Sequence, residues 1–270
     1  MNRSMITATN TISQLQKQFD ILSNNIANAQ TTGFKKRDVT FADLIVQEVN
    51  NQPSRESEIG RLSPHGIRQG TGARIAKSML VLNQGSIQNT GRALDIAFTT
   101  ENQFLKVQVD NELRFTRNGA LYVTPTEGEQ LMLVTQDGNP VLDINENPIV
   151  FSNQYNDFTI LQDGTFIAHQ ENGEPFETTF GVIAVNKPQF LEQKGDSLLG
   201  LPDNIAVNPA QIYTNLEAEN IQIQQRALEN SNVDLSKEMT DMITVQRSLQ
   251  FQSRAITISD QMMGLVNGIR

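Results

Sequence analysis

The chain has 270 residues, with 38% hydrophobic and 6% aromatic residues, which allows one large domain or two modest ones and is lean for a compact enzyme. Lys plus Arg number 21 against 30 Asp plus Glu, a net charge of −9, which argues against the basic face that nucleic-acid binding needs. The absence of cysteine excludes disulfides, thiolate metal sites and Cys nucleophiles.

The first 30 residues contain neither Pro nor Gly. Met5, Ile12, Phe19 and Ile26 recur every seven residues, and Ala8, Leu15, Leu22 and Ala29 form a second series offset by three. This a/d pattern predicts a helix that buries a narrow seam against another helix. Ser, Thr, Asn and Gln fill the positions between, so few intrahelical charge pairs support the helix alone, and an isolated helix of this length is marginal in water. The stretch also lacks the apolar run of a cleavable secretory signal, being interrupted by Gln14, Gln16 and Lys17. No apolar run anywhere reaches the roughly 20 residues that span a bilayer, so the chain is not expected to cross a membrane. Residues 1–48 are read as the N-terminal helical part. The polar stretch 49–75, with Pro53 and Pro64, is read as an extended connection.

From 76 to 209 the pattern changes. Segments such as Phe104–Val109 and Leu113–Thr116 alternate like half-buried strands. Asp110-Asn111, Asn118-Gly119, Asp137-Gly138, Asp163-Gly164 and Asn172-Gly173 punctuate them as turns. Residues 210–270 return to helical periodicity: Leu235, Met242, Leu249, Ile256 and Met263 step by seven. Phe251, Ile258 and Leu265 make a separate row displaced around the helix, which implies more than one neighbour. The expected class is α+β: N- and C-terminal helices forming one discontinuous, coiled-coil-like domain, with an antiparallel β domain inserted between them. On periodicity alone, pairing of the two helices inside one ordinary bundle is an equal reading.

Residues for chemistry are sparse, and no catalytic or metal-binding set and no cofactor is assigned. His65 and His169 stand far apart and read as surface loop residues. Asp143–Asn147 resembles the start of a calcium loop, but Pro148 and Gln154 occupy positions that need Gly and Glu; it reads as a turn. Gly70-Thr71-Gly72 lacks a third glycine. Lys35-Lys36-Arg37 reads as solvated charge near a helix C-terminus.

One segment is more specific. Leu22 to Lys36 reads LSNNIANAQTTGFKK and resembles the N-terminal signature of the flagellar rod and hook protein family, with Ala27, Asn28, Thr31, Gly33, Phe34 and Lys35 at its matching positions. Gly33 is suited to a positive φ after the helix, and Phe34 to tucking back against it. Gln84–Gln88, Thr90–Ala97 and Phe115–Gly119 are similar to the family's β-domain blocks. Leu228–Asp234, containing Ser231, Asn232 and Val233, and Glu238–Ile243 are similar to its C-terminal signature. One departure is Thr99–Phe104, where the family usually has a Gly-x-Gly-Phe-Phe run.

The resemblance implies a structural subunit of the basal-body rod, exported by the flagellar type III apparatus without a cleaved signal. It implies helical self-assembly with other axial proteins of rod and hook, terminal helices lining a hollow, torque-bearing shaft, and no small-molecule substrate. Length and the long connection are most similar to distal-rod members, with proximal-rod or hook-type members next. A reading from a different class, an extracellular glycan-binding β module, stays open at this point. The packing residues expected under the family reading are Met5, Ile12, Leu15, Phe19, Leu22 and Ile26 on one helix. On the other they are Leu235, Met242, Leu249, Phe251, Ile256, Ile258, Met263 and Leu265.

Overall fold

The computed structural model describes residues 2–43, 47–49, 67–70, 73–126, 128–155, 157–170, 173–195, 197–202 and 208–268. It is an α+β protein with one helix at each end, α1 (Asn2–Ala27) and α2 (Leu235–Gly268), and antiparallel strands between them. At about 1.5 Å per residue, α1 is about 39 Å long and α2 about 51 Å. The chain divides into two compact units: Met1–Asn24, Asp38–Ser78 and Ser236–Arg270 form one, and Asn25–Arg37 with Met79–Leu235 form the other.

In the first unit, β1 (Arg37–Asp43) pairs with β4 (Ala73–Leu80), and β2 (Gln47–Val49) pairs antiparallel with β3 (Ile67–Gln69). Gln14 of α1 accepts a hydrogen bond from the Ile75 N–H at 3.0 Å, which fixes the helix to β4. Most of the connection expected at 49–75, including His65 and residues 71 and 72, lies outside the described residues. Among the described residues, no helix is long and apolar enough to cross a membrane.

The second unit is built on a six-stranded antiparallel sheet. Its order is β16 (Glu192–Gln193), β17 (Leu198–Gly200), β8 (Glu112–Thr116), β7 (Gln103–Val109), β15 (Val182–Val185) and β18 (Tyr213–Asn215). The β7–β8 hairpin turns through Asp110 and Asn111 at φ of 49° and 67°. Positive φ at both central residues matches the right-handed twist of the paired strands. Strand β7 is not half-buried as its alternation suggests; residues Gln103 to Val107 are all buried. The physical reason is that both faces are covered. Leu105 and Val107 enter one hydrophobic cluster, with Phe98, Leu121, Phe166 and Phe180, while Phe104 and Phe115 enter another with Ile183, Val185 and Ile212.

Two three-stranded sheets close over the first cluster: β9 (Leu121–Thr126), β10 (Gln130–Thr135) and β11 (Val150–Ser152), then β12 (Asp157–Ile160), β13 (Thr165–His169) and β14 (Phe176–Thr179). Phe151 packs at 5.6–6.2 Å between centroids against Tyr155, Phe158, Phe166 and Phe176. Offset and edge contacts of this kind add about 0.5–1.5 kcal/mol per pair beyond area burial. The segment Asp143–Asn147 is a turn. Asp143 accepts from the Asn147 N–H at 2.8 Å through its side chain and from the Glu146 N–H at 3.1 Å through its carbonyl. Glu146 then reaches the buried Lys106 ammonium at 2.8 Å.

Two short ribbons complete the unit, β6 (Ile96–Phe98) with β19 (Ile223–Gln225), and β5 (Ile87–Asn89) with β20 (Ala227–Glu229). They bring the segment preceding α2 back onto the residues that open the β region.

Candidate functional site

The most unusual chemistry of the second unit is a buried ion knot. The Glu229 carboxylate takes Lys35 Nζ on Oε1 at 2.6 Å and Arg117 Nε on Oε2 at 2.6 Å, with the three side chains 3%, 1% and 1% exposed for Lys35, Arg117 and Glu229. The Gly85 N–H also donates to Oε1 at 2.8 Å. Lys35 Nζ donates in addition to the Asn83 carbonyl at 2.8 Å. Arg117 Nη1 donates to the carbonyls of Glu101 at 2.8 Å and Gln103 at 2.7 Å, and the guanidinium lies over the rings of Phe98 and Phe104. Charges removed from water cost several kcal/mol each unless paired and hydrogen-bonded. Here the single carboxylate is shared by two cations.

Burial pushes the Lys35 ammonium below its ordinary value of 10.5; the Arg117 charge adds to this, and Glu229 opposes it. Burial likewise lowers Arg117, again against the pull of Glu229.

Main-chain bonds tighten the same place. The Gly33 N–H donates to the Glu229 carbonyl at 2.8 Å. Asn232 Oδ1 accepts from the Lys36 N–H at 2.8 Å, and its Nδ2 donates to the carbonyls of Val81 and Asn83 at 2.9 Å each. Asn25, near the end of α1, holds Arg37 on both sides: its Nδ2 donates to the Arg37 carbonyl at 2.9 Å and its Oδ1 accepts the Arg37 N–H at 3.1 Å. An asparagine side chain has the donor and acceptor geometry of a peptide group, so each of these two substitutes for a missing strand partner.

Glycine is required at two points of contact. Gly33 has φ +69°, and a methyl group there would sit 2.5 Å from the backbone carbon and oxygen of Arg117. A methyl group on Gly85 would sit 2.0 Å from the Asn230 carbonyl oxygen.

Of the signature residues, Gly33, Phe34 and Lys35 are buried here, and Asn232 binds the strand beside them. Phe34 lines a small cavity with Leu80, Phe104 and Leu199 of the β unit. Thr31 donates its hydroxyl to the Asn28 side chain at 3.2 Å, and the Ser231 hydroxyl accepts the Val233 N–H at 3.3 Å. Ala27 is exposed and Val233 half-buried. The reading of Lys35-Lys36-Arg37 as solvated charge is corrected at Lys35, which is buried because Glu229 and Asn83 replace its water, and at Arg37, which donates to the Leu191 carbonyl at 3.1 Å. Glu229, Arg117 and Asn25 were not singled out by sequence reasoning. The usable signal was that Arg117 and Glu229 are charged residues inside otherwise uncharged motif blocks, Phe115–Gly119 and Leu228–Val233.

At Thr99–Phe104, where the family's glycine-rich run is absent, side-chain bonds hold the turn. The Thr99 N–H donates to the Gln222 carbonyl at 3.0 Å and the Thr100 hydroxyl to the Gln222 side chain at 3.2 Å. Buried Gln103 donates to the Asn220 carbonyl at 2.8 Å.

The expected packing residues of the first unit differ in burial. On α1, Leu22 is buried, as is Ala8, while Met5, Ile12, Leu15, Phe19 and Ile26 are half-buried. On α2, Val245 is buried and Met242, Leu249, Ile256 and Met263 are half-buried, whereas Leu235 is exposed. The second row is open: Phe251 is 67%, Ile258 57% and Leu265 68% exposed, and Met262 extends the same stripe.

Elsewhere, His169 is exposed beside the Thr159 hydroxyl at 3.1 Å. A polar groove on the β unit is lined by Thr99, Gln162, Asp163, Glu219, Gln222 and Gln224. Among the described residues, no three His, Cys, Asp or Glu side chains are grouped to hold a metal ion.

The class defined by this fold is an antiparallel β protein flanked by terminal helices, in which residues from near both ends of the chain are tied together by one internal ion knot. The chain belongs to the flagellar basal-body rod protein family. Residues 5–35 match the family described as "Flagella basal body rod protein", and residues 224–269 match "Flagellar basal body rod FlgEFG protein C-terminal". Over its whole length the chain is similar to the "Flagellar hook-basal body complex protein FlhP" of Bacillus subtilis, at 44% identity with 100% of both chains covered. It is also similar to the "Flagellar basal-body rod protein FlgG" of Borreliella burgdorferi, at 31% identity with 100% of this chain and 99% of the other covered, and to FlgG of B. subtilis at 29% with 97% of each covered. The two matched family segments contain the two ends of the knot, Lys35 and Glu229.

Proposed function

We propose that this chain is a structural subunit of the flagellar basal-body rod that self-assembles helically through its terminal helices into a hollow, torque-bearing shaft. Its partners are further copies and other axial proteins of rod and hook, reached by export through the flagellar type III apparatus without a cleaved signal. The full-length likeness to rod proteins supports the location. The observation that carries the assembly reading is the open row Phe251, Ile258 and Leu265 on α2. An apolar stripe along one helix face is costly in water, at about 25 cal/mol per Å² left uncovered, and a neighbouring subunit would cover it. In this reading the half-buried series Met5 to Ile26 and Met242 to Met263 forms a coiled-coil-like seam within a discontinuous core domain, 1–48 with 210–270. A distal position in the rod is favoured by the resemblance in length and connection, with a proximal position second.

Leu249→Asp tests it. A charge placed in the half-buried series would be left unpaired on assembly, which costs several kcal/mol per site. A strain carrying this variant should export the protein but build neither hook nor filament. Normal motility would end the proposal.

A further inference from the structure

The ion knot places two cations, Lys35 and Arg117, against one buried carboxylate, Glu229. The Glu101 side chain, which also acts on both cations, is exposed to water. The buried group therefore carries one positive charge more than it cancels. Two further observations fall at the same place. Arg117 Nη2 is buried and has no hydrogen-bond partner. Arg117 and Lys35 both line a cavity of about 10 Å³, walled by Phe34, Leu80, Phe104 and Leu199 and carrying the Ser197 hydroxyl.

We infer that this cavity is a binding site for one small monatomic anion of the chloride class. The donors fit. Arg117 Nη2 is unused, and Lys35 Nζ spends two of its three N–H groups on Glu229 and Asn83. The charge fits, because a monovalent anion cancels the single excess cation where the low dielectric makes that excess costly. The size selects: the space is about that of one water-sized particle, so a monatomic anion is admitted and sulfate or phosphate is not. The apolar walls offer nothing to a cation. An anion here also bridges segments far apart in sequence, so binding favours the closed knot over any state in which residues 33–36 have left it.

The experiment measures urea unfolding of the full chain in sodium chloride and in sodium gluconate at equal ionic strength. Binding to the folded state alone should lower the unfolding constant about tenfold for each tenfold rise in chloride above saturation. Ser197→Val, which fills the cavity while leaving the Lys35–Glu229–Arg117 bonds in place, should fold in gluconate and lose this chloride response. Crystals grown in bromide should show an anomalous peak within hydrogen-bonding reach of Arg117 Nη2. Equal midpoints in the two salts, or a water without anomalous signal at that position, would overturn the assignment.

Discussion

Gly33 and Arg117 touch through their backbones: at φ +69°, Gly33 leaves no room for a methyl group, which would sit 2.5 Å from the Arg117 carbonyl carbon. That approach lets the Gly33 N–H reach the Glu229 carbonyl and sets Lys35, two residues on, against the Glu229 carboxylate. The family's N-terminal motif thus works as a plug that fits one slot of the β unit, with glycine where the plug passes the slot wall.

Gly33→Ala should therefore do two kinds of harm. A left-handed φ costs a non-glycine residue about 1–2 kcal/mol, and the overlap with Arg117 backbone adds to it. Gly128→Ala is the control, because Gly128 has φ +80° with open space around it. Urea midpoints should show Gly33→Ala losing at least about 2 kcal/mol and Gly128→Ala about 1 kcal/mol. Equal losses would mean that the close approach contributes nothing.

Glu229→Gln keeps the shape of the knot and removes its only anion. Lys35 and Arg117 would then face each other buried and unneutralised, and removing one partner of a buried pair costs about 3–5 kcal/mol. The double variant Glu229→Gln with Lys35→Met should recover part of that loss, since it relieves the repulsion. A double-mutant cycle in urea tests the sign; a double variant less stable than Glu229→Gln alone would contradict the arrangement.

The pH dependence follows from the direction of the Lys35 shift. Burial first, and Arg117 second, hold its folded pKa below the ordinary 10.5, against the pull of Glu229. Between the folded value and 10.5 the unfolded chain holds more protons than the folded one, so stability rises with pH across that window. Below the folded value the penalty is constant. The stability difference between the native chain and Lys35→Met should therefore move in favour of the native chain as pH rises from 7 toward 9.5. A difference that moves the other way would show that the ammonium is held above its ordinary value.

The sequence made the two helices legible because a seven-residue apolar repeat is local, and α1 and α2 cover the residues that carry it. The turns at Asp110-Asn111 and Asp163-Gly164 were legible because the chemistry of positive φ is also local. Strand β7 was misread as half-buried because covering both faces needs partners from Val182–Val185 and Leu121–Thr135, which no window around residue 105 contains. The knot was hidden for the same reason. Lys35 and Glu229 stand 194 residues apart, and in isolation a lysine beside Lys36 and Arg37 looks solvated. The resemblance marked these segments without giving the pairing.

The last prediction separates folding from assembly on α2. Ile258 lies in the open row, 57% exposed, so Ile258→Glu removes little that the isolated chain buries, and surface changes of this kind usually stay within about 0.5 kcal/mol. In a polymer the same carboxylate would enter an apolar contact with no cation provided for it, a cost of several kcal/mol repeated at every subunit. Purified Ile258→Glu should therefore unfold at the native urea midpoint while failing to enter basal bodies. Amide exchange adds a second reading: the 251–265 stretch of the dilute native chain should exchange faster than β7 and β8, because its outer face lacks the packing that the β unit supplies. If Ile258→Glu unfolds several kcal/mol early, the row is covered within the chain, and the neighbour it was assigned to cover it is unnecessary.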